Sequence, residues 1–193
     1  GIEINPAKVS VLQGSLGYQV GSDYQLAAGA QIVVIAVPTP LDENRQPDLS
    51  YVESACQSLK TVLTESVLVV NESTSFPGTL RNVIAPILGE AHLYASAPER
   101  VDPANEKWGI GNTPRLVAGM NSEATSRALE FYRSFCKEVV EVSTPEVAEA
   151  AKLFENTFRQ VNIALVNEFA QIAHKLGISV NEVLDAANTK PYG

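Results

Sequence analysis

Only two cysteines, Cys56 and Cys136, occur in 193 residues. That is too few for a disulfide framework, and it points to reduced thiols in a cytoplasmic setting. Both fall among apolar residues of helical stretches and read as core positions rather than nucleophiles. The two histidines, His92 and His174, are far apart, with no cysteine or carboxylate at ligand spacing, so no metal site is expected. Basic residues are scarce, 14 against 22 acidic, for a net charge of -8. This argues against a nucleic-acid partner, whose phosphates need a basic patch. A small anionic ligand stays open, because backbone N–H groups and a few local cations can bind one. No apolar run approaches the ~20 residues of a membrane span, and no signal-peptide pattern opens the chain. A G-x-G-x-x-G turn is also absent: Gly14 and Gly17 follow no strand and are wrongly spaced.

What is present is alternation. Apolar, β-branched runs at 31–40, 66–74, 92–99, 115–119 and 137–143 read as strands buried on both faces. Helical patterns at 48–63, 79–90 and 122–136 lie between them, the second with Pro86 awkwardly inside. This order predicts an α/β fold: a partial, Rossmann-like, doubly wound parallel sheet. From Thr144 the pattern becomes one helix of about 30 residues, by its 3.6-residue period, with Pro145 in its first turn and Gly177 at its end. A second helix start at 179–188 has the capping-box form, Ser179 with Glu182. The expected division is therefore residues 1–143, an incomplete nucleotide-binding domain, and 144–193, a long connecting helix and the start of a helical domain. The chain opens at Gly1 with residues that already read as structure, which is expected of a beginning cut away or of a removed initiator methionine.

Ligands of open α/β sheets bind beyond the carboxyl ends of the strands. There the sequence places Val37-Pro38-Thr39, then Glu72-Ser73-Thr74, then Glu99-Arg100. Each has a plain alternative: a loop, a helix cap, a surface ion pair. Their conjunction on one edge favours a site. Glu3, at the end of a strand-like opening, has the position of an acid that takes adenosine ribose hydroxyls and disfavours a 2′-phosphate. In "KLFENT" (152–157), Lys152 and Asn156 share a helix face at i, i+4 among apolar neighbours. Trp108 sits in a polar, glycine-containing loop and reads as a lid or an anchor.

The stretches "VPTPLDENRQPDLSYV", "ESTSFPGT", "APERVDPAN", "AEAAKLFENTFRQVNIALVNE" and "DAANTKPYG" resemble the UDP-glucose/GDP-mannose dehydrogenase family. The resemblance is nearest to the bacterial UDP-N-acetylglucosamine and UDP-N-acetylmannosamine 6-dehydrogenases. It runs through nearly the whole chain, in family order, and covers the middle of a family protein. It implies NAD as cofactor and a UDP-sugar substrate, a UDP-N-acetylhexosamine or UDP-glucose, whose C6 alcohol is oxidised to the acid through a cysteine thioester. By resemblance, Thr74 helps position the catalytic water, Glu99 is a candidate base, Lys152 stabilises an oxyanion and Asn156 binds the reacting sugar. Arg100 joins the substrate side, and Glu3, Val37, Pro38, Thr39, Ser73 and Thr74 the cofactor side. The family's glycine loop and its nucleophilic cysteine segment are not in this sequence.

Two readings follow. One is an NAD-dependent nucleotide-sugar 6-dehydrogenase seen in part. The other is a folded module of the same ancestry without chemistry, since removing the covalent step removes the reaction. A homodimer through the helix at 145–177 is expected, because Val147, Ala150, Ala151 and Phe154 form one apolar stripe and Phe158, Val161, Leu165 and Phe169 another.

Overall fold

The computed structural model describes residues 1–15, 17–102 and 105–191, without the side chains of Gly14 and Ser15. Pro103 and Ala104 of the "APERVDPAN" stretch, and Tyr192 and Gly193 of "DAANTKPYG", lie outside the described residues. The elements run α1 (Pro6–Ser15), β1 (Ile32–Ile35), α2 (Ser50–Lys60), β2 (Leu68–Asn71), a wide helical turn (Leu80–Ile84) leading into α3 (Ala85–Leu88), and β3 (Leu93–Ser96). There follow β4 (Arg115–Gly119), α4 (Ser122–Arg133), β5 (Val139–Glu141), α5 (Pro145–Leu176) and α6 (Val180–Asn188). By compactness the chain divides into Gly1–Leu153 and Phe154–Gly193.

In the first unit five strands form one sheet in the order β1-β2-β3-β4-β5. The pairs β1–β2, β2–β3 and β4–β5 are parallel. β3 and β4 are antiparallel, which departs from the all-parallel expectation. The physical reason lies in the connection: residues 97–114 form no helix among their described residues, so no βαβ crossover carries the chain back to start a parallel strand. The strand expected at residues 1–4 is reduced to a single parallel bridge, Ile2 with Gly21.

Strand alternation sorts the core onto two faces. Val33, Ile35, Val69 and Tyr94 pack with Val52, Cys56 and Leu59 of α2 and with Leu80 and Ile84. Leu68, Val70, Ala95 and Val117 pack with Ala124, Ala128 and Tyr132 of α4. Two covered faces explain why β2 is buried at all four positions. Both cysteines are free and buried, and burial pushes the Cys56 thiol up to about 12. Pro86 is accommodated because it falls at the start of α3, after the wide turn, where a missing N–H costs little. Gly119 closes β4 because a Cβ there would stand 2.3 Å from the backbone N of Thr125 at the start of α4.

The second unit consists of the remainder of α5 and of α6. Gly177, at φ 70°, ends α5. The Ser179 hydroxyl caps α6 by accepting the Glu182 N–H at 3.4 Å. Phe158, Val161, Leu165 and Ile172 are exposed along α5. No helix among the described residues is long and apolar enough to cross a membrane.

Candidate functional site

The carboxyl ends of β1, β2 and β3 meet through their loops. The Ser73 hydroxyl accepts the Val37 N–H at 2.9 Å and contacts the Ile35 carbonyl at 3.4 Å, tying the loop after β2 to the end of β1. The Glu99 N–H donates to the Glu72 carbonyl at 3.1 Å, so the loops after β2 and β3 run side by side. The Glu99 carboxylate accepts the Val101 N–H, and the Arg100 guanidinium donates to the Pro114 carbonyl at 2.8 Å. Thr74, Glu99 and Arg100 are half-buried.

A cavity of about 430 Å³ lies along β1, from Ile32 to Pro38, with α2 on one side and residues 1–4 on the other. Glu3, Val37 and Pro38 line it together; Thr39, Ser73 and Thr74 are not among its lining residues. Most of the lining is apolar, with the Glu3 carboxylate as its charged side chain. This suits the adenosine half of a dinucleotide: an apolar slot for the base and an acid for the ribose hydroxyls. No lysine, arginine or histidine stands among the lining residues to meet a pyrophosphate.

Sequence reasoning missed the groups that brace these loops. Tyr132 of α4 donates its phenol hydrogen to Glu72 Oε1. Arg115, only 4% exposed at the start of β4, approaches the same oxygen at 3.7 Å and stacks over the Tyr132 ring at 5.2 Å. It also donates to the Ala97 carbonyl at 3.1 Å, beside Glu99. Burial, and then the Glu72 charge, push the Tyr132 phenol well above its ordinary value. The signal available in the sequence was a lone arginine opening an apolar strand, which calls for an internal acid.

A second brace involves the first turns of α5. The face that packs is Pro145, Ala148 and Glu149, whereas Val147 and Phe154 are exposed. Glu146 Oε1 meets Arg81 Nε at 2.6 Å, and this bond holds the Glu146 carboxyl down to about 2. The pair is partly exposed, so it contributes at most ~1 kcal/mol. A carboxyl depressed in the fold stabilises it above its unfolded value near 4.5 and loses that contribution as pH falls towards 2. Lys152 is half-buried in the same helix, with Asn156 one turn further along.

Residues 6–136 match the model of the UDP-glucose/GDP-mannose dehydrogenase family, NAD binding domain, and residues 146–193 match that family's central domain. The chain is 40% identical over 170 residues to the UDP-N-acetyl-D-mannosamine dehydrogenase of Pyrococcus horikoshii, covering 84% of this chain and 40% of that protein. It is 34% identical over 168 residues to the UDP-N-acetyl-D-glucosamine 6-dehydrogenase of Pseudomonas aeruginosa, covering 82% of this chain and 40% of the relative. The native structure of the UDP-N-acetyl-mannosamine dehydrogenase Cap5O from Staphylococcus aureus superposes on it with a TM-score of 0.84 at 29% identity, covering all of this chain and 53% of that one. The chain thus spans about two fifths of the length of the curated relatives it matches.

Proposed function

The chain belongs to the UDP-glucose/GDP-mannose dehydrogenase family, and from that premise we propose that it carries the cofactor and proton-handling part of a nucleotide-sugar 6-dehydrogenase. The substrate class is a UDP-N-acetylhexosamine. The observation that carries this reading is the succession of both family domains along the chain, with relatives named for UDP-N-acetylmannosamine and UDP-N-acetylglucosamine. Residues 1–143 form the cofactor domain and 144–193 the connecting helix and the start of the central domain.

Bound beside Glu3, Val37 and Pro38, NAD would supply the hydride acceptor for the sugar alcohol. The chain's own residues supply the binding and proton-handling groups. Glu3 accepts the adenosine ribose hydroxyls and repels a 2′-phosphate, with Val37 and Pro38 beside it; Thr39, Ser73 and Thr74 complete the cofactor side. Lys152 supplies a fixed ammonium for the oxygen that gains negative charge, an interaction strongest in the transition state. Asn156, one turn on, holds the sugar by its amide. Glu99 takes a proton from the water that Thr74 orients, with Arg100 on the substrate side.

The test is NADH formation with UDP-N-acetylglucosamine or UDP-N-acetylmannosamine by the protein expressed from its complete reading frame. Turnover supports the reading; its absence with every UDP-sugar leaves a folded module without chemistry. The exposed apolar stripe of Phe158, Val161 and Leu165 is covered, in this reading, by a second copy. Light scattering at micromolar concentration tests that pairing, and a monomer mass contradicts it.

A further inference from the structure

Glu149 is 1% exposed, the most thoroughly buried acid among the described residues. It sits on the second turn of α5, three residues before Lys152 and on the same helix face. Its two oxygens have separate partners: Oε2 accepts the Gly78 N–H at 2.7 Å and Oε1 the Leu80 N–H at 3.0 Å. The Ser75 hydroxyl is close enough to favour the charged carboxylate, and Ser75 Oγ accepts from Asn71 Nδ2 at 3.0 Å. Asn71 Oδ1 accepts the Ser73 N–H at 3.2 Å, and Ser73 reaches Val37. Hydrogen bonds therefore tie the start of the loop that carries Thr74 to the end of β1, and the far end of that loop to the turn of α5 that carries Lys152.

A buried carboxylate costs several kcal/mol in desolvation when unpaired. Here desolvation is the largest influence on Glu149 and raises its carboxyl, while the Leu80 and Gly78 N–H groups and Ser75 act against that rise. A merely apolar contact would dock the helix without desolvating a charge. Two backbone N–H groups on two different oxygens fix both distance and rotation, which an apolar contact does not.

We infer that Glu149 is a positioning residue, whose carboxylate clamps the lysine-bearing turn of α5 to the loop of residues 73–80. The inference rests on the dehydrogenase reading for its functional consequence, though the clamp itself does not. Glu149→Gln is the sharp test. The amide has the same shape but one acceptor oxygen, so one backbone N–H faces an NH₂ group, donor to donor.

Amide hydrogen exchange is measured first, on the folded variant without substrate. Exchange at Gly78 and Leu80 is expected to rise about tenfold or more, the scale of one lost hydrogen bond to a charged group, while Val69 and Val70 in β2 keep their protection. Steady-state kinetics on the protein from its complete reading frame comes second. We expect kcat to fall about tenfold, as for a displaced catalytic group, with KM for NAD+ unchanged. If Glu149→Gln does not fold, Ser75→Ala removes the hydroxyl alone and is expected to give the same pattern in smaller measure. Wild-type exchange at Gly78 and Leu80 would overturn the clamp. Raised exchange with unchanged kcat would overturn the positioning role. No turnover in the unsubstituted protein would defeat the dehydrogenase reading, and raised exchange would then still establish the clamp.

Discussion

Lys152→Met is expected to lower kcat for UDP-N-acetylhexosamine oxidation by about 10²–10³-fold, the usual cost of removing one preorganised group from a developing oxyanion. Methionine keeps the length and the apolar stem of lysine, so the half-buried position stays filled. Only the ammonium is lost. KM for NAD+ should not move, because the cofactor residues Glu3, Val37 and Pro38 line a separate cavity along β1. Steady-state kinetics on protein from the complete reading frame checks both parameters. Unchanged kcat would remove Lys152 from the mechanism, and a raised KM for NAD+ with constant kcat would move it to the cofactor side.

Glu72→Ala is expected to lower the unfolding free energy by about 3–5 kcal/mol, the cost of leaving a buried charge without its partner. Arg115 would keep only the Ala97 carbonyl and the Tyr132 ring, and the Tyr132 hydroxyl would lose its acceptor. Tyr132→Phe removes one hydrogen bond and leaves the Arg115–Glu72 pair, so its expected cost is about 1–2 kcal/mol. The pair of values, read from denaturant unfolding, separates a network from ordinary packing. Equal costs for the two substitutions would contradict the arrangement. The network also has a local duty, since Glu72 precedes Ser73 and Thr74 and its carbonyl receives the Glu99 N–H.

The helices were legible because their signals are local. Pro145 and the Ser179–Glu182 pair mark helix starts by chemistry confined to one turn, and both starts stand where these residues put them. The apolar runs likewise located β1, β2 and β3, since a strand covered on both faces has no polar alternation to confuse. Strand direction was not legible. Nothing in "RLVAG" says whether it runs with or against β3; that depends on the connection before it. The opening "GIEI" has strand composition but keeps only the Ile2–Gly21 bridge, because pairing is a property of a neighbour and not of the segment.

The site was legible only as far as its motifs. Glu3, far in sequence from Val37 and Pro38, meets them around one cavity, and the loops bearing Thr74 and Glu99 are joined by backbone. The supports were invisible. Arg115, Tyr132 and Glu149 each read as an ordinary strand or helix residue, because their partners lie at Glu72 and at residues 75–80, well away in the chain. A charge inside a core announces its partner's existence but not its address.

The measurement that bears most directly on the account is an NMR titration of this chain with NAD+ and, in parallel, NADP+. The account predicts saturable shifts centred on the amides of Glu3, Ile4, Ala36 and Val37, with NADP+ about tenfold weaker or more, the scale of like-charge juxtaposition against Glu3. Shifts lying elsewhere, or equal response to the two dinucleotides, would contradict the assignment of this cavity to the adenosine half of NAD.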